Sequence, residues 1–597
     1  MAGIKGYPET TLTMLWYLRQ VRHIYHHARQ CLTDWRERLY GLAWLSMLLW
    51  SVLAGLIGAF ATEIFRLSLY WGDRALLGQG GSLVALARSL PPGLRLLVPA
   101  VGGLVAGLLL LWVGRFKAES SKADYMEAST MGDGRIPVSQ TLGRSLSSVV
   151  SIVSGGSIGR EGAMVQLAAL CASVLGQCLR MPADRLRLLV ACGAAAGLTA
   201  AYNAPFASTF FVAEIVLGSI ALDSLGPIMV AAVVANSTMR AFPGYQPPYV
   251  IPGFPAIQGL ELLLFALLGV VAGLASALFL RGLERSRKLF SSLPLGLPLR
   301  LGLGGLVVGL VSWFWPEVWG NGYSVVNEAL HSQWSWSLLL LLLASKILAT
   351  FATVGSGAVG GVFTPALFFG CMLGEVFGQG VQAMWPQMAS APFAYGIVGM
   401  GAFLAGSTQA PLMAILMLFE MTLSYQVMLP LMVGCVMAYF VARAASAGSM
   451  YDITLRRLAQ SDERQRLRRQ LVQDLIEPAI TVVALDASHA SMASLFAAHP
   501  VKYLYVVDAN GLYQGVVPLR ALSAAAAEQG LQRHKAADFL SQEIRPLTSD
   551  MGLDAAFRRF MEHQGERLPV VQSVAQPHLL GVVKKSALLQ TYARLSI

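Results

Sequence analysis

Gly155-Gly156-Ser157-Ile158-Gly159-Arg160-Glu161-Gly162-Ala163-Met164-Val165-Gln166 lies between two long apolar segments and carries one acid, Glu161, with glycines on both sides. A carboxylate at membrane depth is expensive, so its presence is read as functional, on an ion or proton path. Glycine permits tight, irregular backbone and the close approach of other groups. From Val165 onward the residues are apolar and helix-permissive, which predicts a helix starting near Glu161. The free N–H groups and positive dipole end of such a helix face any anion placed there. The stretch reads as an anion site with a titratable lid.

Composition sets the surroundings. The 597 residues are 55% hydrophobic and 13% charged, against about 25% charged in soluble domains. That is the composition of a polytopic membrane protein, with the lipid bilayer as its solvent. The net charge of +11 comes from basic residues gathered at both ends and in loops. Positive-inside bias accounts for that placement, and no nucleic-acid partner is expected. The six cysteines, Cys31, Cys171, Cys178, Cys192, Cys371 and Cys435, have no metal-ligand spacing. They read as small apolar packing residues, and no metal and no cofactor is expected. The first 30 residues hold Arg19, Arg22, His23, His26, His27 and Arg29 without an apolar core and cleavage site, so no cleavable signal peptide is expected.

The first long apolar run, 40–71, is entered from a basic segment with Arg36 and Arg38, which places the N-terminus in the cytoplasm. A second run covers about 92–113. Beyond Glu161 the apolar segments are unequal and cut by glycine and proline, several falling short of the roughly 20 residues of a simple span. Broken or re-entrant helices are tolerated only where they line a protein-enclosed cavity. The chain also repeats itself. Gly193 precedes Asn203 by ten residues, and Asn203-Ala204-Pro205 precedes Glu214 by eleven; Gly399, Gln409-Ala410-Pro411 and Glu420 repeat the same spacing. Matching punctuation in two halves implies a duplicated membrane unit.

Gly159-Arg160-Glu161-Gly162 resembles the G-[KR]-E-G-P motif of the CLC family of chloride channels and chloride/proton exchangers, with Ala163 in the place of the family's proline. Gly361-Val362-Phe363-Thr364-Pro365 resembles that family's G-x-F-x-P motif, and Gly448-Ser449-Met450-Tyr451 stands where the family has its pore tyrosine. Gly132-Asp133-Gly134-Arg135-Ile136-Pro137 occupies the place of the family's G-S-G-I-P motif. Alignment on Ile136-Pro137 puts Gly134 at the serine; alignment on the first glycine puts Asp133 there. The resemblance spans about 40–460. It implies a homodimer with one anion pathway per subunit, two repeats of opposite topology, and Glu161 as the gate. It further implies that Gly134, Arg160, Gly162, Val362, Phe363 and Tyr451 hold the anion, chloride or a similar monovalent ion. In many of the family's exchangers protons enter from the inner side at the second acid of a Glu-Glu pair, twelve residues after the Asn of Asn-Ala-Pro. Counting from Asn203, position eleven is Glu214 and position twelve is Ile215. Glu214 is therefore a candidate for a proton path, with a structural carboxylate as its alternative, and channel-like or poorly coupled flow is expected, gated by voltage or pH.

Two other patterns lead elsewhere. Gly155-Gly156-Ser157-Ile158-Gly159 fits the hydrolase G-x-S-x-G pattern, but a nucleophile elbow needs a strand before it and a histidine partner. Gly355-Ser356-Gly357-Ala358-Val359-Gly360 fits G-x-G-x-x-G, but it follows a helix-length apolar run without strand–helix alternation. Neither an enzyme nor a dinucleotide site is expected.

Past Tyr451 the composition changes. Arg456, Arg457, Arg464, Arg466, Arg468 and Arg469 crowd a linker that is helix-permissive and suited to inner-leaflet headgroups. Two similar α/β units follow. Tyr505-Val506-Val507 and Gly515-Val516-Val517 mark the first, Leu568-Pro569-Val570-Val571 and Gly581-Val582-Val583 the second. They resemble a pair of CBS domains, which some CLC proteins carry on the cytoplasmic side. CBS units that bind nucleotides commonly follow the Gly-apolar-apolar stretch with Ser or Thr, then Asp three residues on. Here those positions hold Pro518 and Ala521, and Lys584 and Ala587, so nucleotide binding is expected to be weak or absent, although Lys584 and Lys585 remain able to meet phosphate.

The expected architecture is a polytopic all-α membrane domain of two repeats with broken or re-entrant helices, plus a cytoplasmic α/β CBS domain pair. The expected divisions are a basic N-terminal segment (1–39), the transport domain (40–450), a basic linker helix (451–471) and two CBS units (472–530 and 531–597). The expected location is the cell inner membrane, multi-pass, with both termini cytoplasmic. A proton-coupled antiporter is the rival mechanism, and a membrane-anchored nucleotide-sensing regulator the rival of another class.

Overall fold

The computed structural model describes residues 43–77, 82–114, 124–130, 132–218, 220–243, 249–255, 257, 259–387, 389–445, 448–451, 471–525, 534–563 and 565–595. The basic segment expected over 1–39 lies outside them, as does the linker helix expected over 451–471 apart from its two end residues. The chain divides into two compact units, Met1–Ile453 and Thr454–Ile597.

The first unit is helical throughout its described residues. Among the described residues, eight helices are long and apolar enough to cross a membrane, from Leu45–Ala75 to Tyr425–Ala444. The apolar helices Pro205–Val216 and Pro411–Thr422 are shorter. At 1.5 Å per residue, twelve residues span about 18 Å, well under the hydrocarbon thickness. These are broken helices that bury Ala207, Phe211, Met413 and Leu418 against the rest of the unit. Small residues bring others close. Gly103 and Gly107 face Leu301 and Pro298, while Gly305 and Gly309 face Pro99 and Leu96. Any Cβ there would run into backbone, so the two G-x-x-x-G pairs set the contact between Pro92–Gly114 and Leu297–Phe314.

The repeat is visible in the backbone. Asn203 and Gln409 both end a helix in the left-handed conformation, with φ 59° and 60°. Each is followed by an extended alanine and a proline at the first position of the next helix. Glu214 and Glu420 then settle the relative direction. Glu420 accepts the Phe206 and Ala207 amides (3.0 and 2.8 Å), and Glu214 accepts the Met413 amide (3.0 Å). Each acid lies toward the end of its own segment and caps the start of the other. The two segments run antiparallel, which makes the repeats inverted.

The second unit is α/β and duplicated. Val482–Ala484 pairs parallel with Tyr503–Val507, which pairs antiparallel with Tyr513–Pro518. Leu547–Thr548, Arg567–Val571 and Leu579–Lys584 repeat that sheet. Both carry a bulge at the same place, Val506/Val507 and Val570/Val571. The Val-rich doublets picked out from the sequence are these central and edge strands. Val516 and Tyr505 of one sheet share a buried cluster with Val570 and Val582 of the other.

Candidate functional site

The two glycine-rich breaks meet. Gly159 N–H donates to the Gly361 carbonyl (2.8 Å) and Gly361 N–H to the Gly159 carbonyl (3.0 Å). Immediately after this bridge, helices begin at Glu161 and at Phe363. First-turn N–H groups have no intrahelical partner, so the pairing brings two helix N-termini to one place. A Cβ at Gly159 would push the Glu161 carboxylate out of its present seat. Gly155, at φ 92°, turns the chain against the Trp319 ring. The loop is held from behind: Ser157 N–H donates to Thr353 Oγ1 (3.2 Å), and Ser157 Oγ lies 3.1 Å from Thr350 Oγ1.

Glu161 is 3% exposed. Its Oε1 accepts from the Tyr323 hydroxyl (3.1 Å) and from the Thr364 hydroxyl. Tyr202 Oη lies 2.8 Å from Thr364 Oγ1. With the Thr364 proton committed to Glu161, Tyr202 is the donor in that pair. The other carboxylate oxygen, Oε2, is buried without a hydrogen-bond partner among the described residues, beside Gly361. One oxygen is latched by hydroxyls and the other points at the paired breaks. Arg160 sets its guanidinium 5.1 Å from the centre of the Tyr323 ring, with Asp73 in electrostatic reach. Phe363 packs its ring 5.1 Å from that of Tyr202.

Tyr451 arrives from the far end of the unit. Its ring meets Phe211 at 5.6 Å, and its hydroxyl is in electrostatic reach of Glu161 and Asp124. The Met450 amide, bound to the Ser407 carbonyl (2.8 Å), fixes the turn before it. Arg160, Glu161, Gly162, Val362 and Phe363 thus gather at the paired breaks, with Tyr451 in electrostatic reach of Glu161.

Gly134 does not join them. At φ 77° it packs against Leu186 and Arg187, and its carbonyl accepts the Ser173 hydroxyl (2.6 Å). Tyr125, at the start of the helix Tyr125–Thr130, is instead in electrostatic reach of Tyr451. The Gly132–Pro137 turn is a connection between helices. Glu214 is bound to the Met413 amide as a helix cap, and its neighbour Ile215 is buried. The enzyme-like patterns dissolve as well. A helix, Val138–Val153, precedes Gly155, and Gly355 lies inside the helix Trp336–Ser356.

Sequence reasoning missed Tyr202, Tyr323 and Thr364. Thr364 stood in plain view as a variable position of G-x-F-x-P, whereas Tyr202 and Tyr323 carried no local signal.

A family model described as voltage gated chloride channel matches residues 102–443. The chain belongs to the CLC family. A ClcB-like protein of Ralstonia nicotianae is 52% identical over 409 residues, 68% of this chain and 95% of that protein. The voltage-gated ClC-type chloride channel ClcB of Escherichia coli is 40% identical over 410 residues, 68% of this chain and 97% of its own length. Among solved structures, a slow cyanobacterial Cl−/H+ antiporter is 27% identical with a TM-score of 0.62, covering 69% of this chain and 98% of its own. A eukaryotic CLC transporter, 16% identical, shares the fold over 91% of this chain and 98% of its own, with a TM-score of 0.57. The inverted repeat described above is thus the scaffold of a CLC membrane domain.

Proposed function

We propose that this CLC protein passes chloride or a similar monovalent anion through one pathway per subunit of a homodimer, and that Glu161 is its gate. The observation that carries the reading is the Glu161 carboxylate itself, seated where two helix N-termini converge and bound by hydroxyl donors. A group of that charge in that seat competes with an anion for the same dipoles. Protonation or displacement frees the seat. Gly162, Val362, Phe363 and Tyr451 line it, and Arg160 keeps its potential positive.

We further propose that flow is channel-like or poorly coupled to protons. The support is local: Ile215 has no proton to exchange, and Glu214 is engaged as a cap. The rival reading, a coupled exchanger, draws its support from the likeness to the slow cyanobacterial antiporter. Proteoliposome chloride flux with simultaneous proton recording separates them. Uphill proton movement at fixed stoichiometry under a chloride gradient overturns the channel reading.

The expected domain divisions stand as part of the proposal, as do a cytoplasmic C-terminal CBS pair and placement in the inner membrane. In that pair Lys584 is committed to Glu477 at 2.7 Å, which leaves less for a phosphate and supports weak nucleotide binding. Calorimetry on the full chain finding micromolar ATP affinity overturns that part.

A further inference from the structure

Lys346, on the helix Trp336–Ser356, is fully buried, with 0% exposure. Its Nζ donates to the carbonyls of Val318 (2.8 Å) and Gly320 (2.7 Å) and stands 5.7 Å from the centre of the Phe368 ring. Two carbonyls and an aromatic face all accept; none offers a proton to an amine lone pair. The nest therefore suits an ammonium, with two N–H bonds taken by carbonyls and the charge facing an aromatic ring. Among the described residues no acid forms an ion pair with it. A buried cation without a counter-charge is strongly unfavourable.

Its neighbours point to where the counter-charge sits. The Gly320 carbonyl it holds lies two residues before Gly322, which packs on Phe368. Tyr323 follows and donates to Glu161. Phe368 is one helical turn beyond Thr364, the second donor to Glu161. On its own helix, Thr350 and Thr353, four and seven residues on, hold Ser157 at the start of the Glu161 loop. Lys346 is thus tied through the 318–320 turn, Phe368 and its own helix to the elements that hold Glu161.

We propose that Lys346 is the resident counter-charge of the pathway, a specificity residue whose ammonium is balanced by the negative group in front of it. That group is the ionised Glu161 or the anion that replaces it. The inference rests on the anion-pathway reading and adds to it a reason why the occupant must be negative. Linkage makes the relation mutual: the anion is stabilised by the ammonium as much as the ammonium by the anion.

The test uses the purified full chain with chloride titrated against gluconate at constant ionic strength, reading the melting temperature and calorimetric chloride binding. In the native protein Tm rises with chloride. Lys346→Met is expected to flatten that rise and to weaken chloride binding by about tenfold, while Lys346→Arg keeps both. If Lys346→Met lowers Tm equally at every chloride concentration and leaves chloride affinity unchanged, Lys346 is only a clip for the 318–320 turn and the proposal fails. Should the methionine variant not fold, Lys346→Gln, which keeps a donor to the two carbonyls, is read in the same way. A native protein that neither binds nor passes chloride fails earlier, by overturning the pathway reading itself.

Discussion

Glu214 and Glu420 close each other's helices: each carboxylate, near the end of one broken helix, takes the free amides that begin the other. The arrangement satisfies backbone donors that no intrahelical carbonyl reaches, and it fastens the two inverted halves together.

If Glu214 is a cap, Glu214→Ala costs about 1 kcal/mol of stability, and Glu420→Ala costs at least as much, because two amides lose their acceptor. Chloride flux per folded molecule stays near the native value in both. Thermal unfolding in detergent and reconstituted flux are the measurements. A Glu214→Ala protein of native stability whose proton movement is abolished would reverse the assignment.

Glu161→Gln imitates the protonated gate. It is expected to raise chloride flux and to flatten its dependence on external pH, because the competing charge is gone. Flux–pH curves on proteoliposomes give the answer, and a variant with native rate and native pH profile sinks the gating role.

Thr364→Val removes one hydroxyl from the Glu161 latch and keeps the shape. Hydrogen bonds to charged groups contribute about 1.5–3 kcal/mol, so the closed, ionised gate loses stabilisation of that order. Chloride flux measured in proteoliposomes at a fixed pH is expected to rise accordingly. Tyr323→Phe shifts it in the same direction, whereas Tyr202→Phe, one bond further from the carboxylate, shifts it less.

The α/β unit carries its own pH dependence. Burial, with Lys585 and Lys502 nearby, holds the His563 imidazole below its usual 6.5. A histidine that resists protonation when folded takes up a proton on unfolding. Stability is therefore fully present above about 6.5 and falls as pH drops below that value. His563→Gln is expected to flatten this fall. Hydrogen exchange of the strand Arg567–Val571 in the full chain at pH 7 and pH 5.5 reports it, and equal acid sensitivity in the two proteins counts against it.

Much of the candidate site was legible because its signals are local. The glycines around Glu161 announced both the break and the helix start, and the Asn203 and Gln409 spacings announced the duplication. The β-rich doublets marked the strands of the α/β unit. What stayed hidden is long-range. Antiparallel placement of the halves emerges only when Glu214 and Glu420 are seen to exchange caps. Tyr202 and Tyr323 reach Glu161 from helices far away in sequence. Gly134 misled for the same reason: a G-x-G turn advertises its backbone conformation and says nothing of which cavity it faces.

The Gly159–Gly361 bridge has a bearing on how the protein is made. Its two strands of backbone come from opposite halves of the chain, so the seat for the anion cannot exist while only the first half has been synthesised and inserted. Until the second half arrives, the amides of the Glu161 loop lack their partner and the Glu161 helix has nothing across from it. The two hydrogen bonds of the bridge form only once both halves are present. A nascent chain stalled midway thus lacks the Gly159–Gly361 bridge and the paired helix starts that follow it.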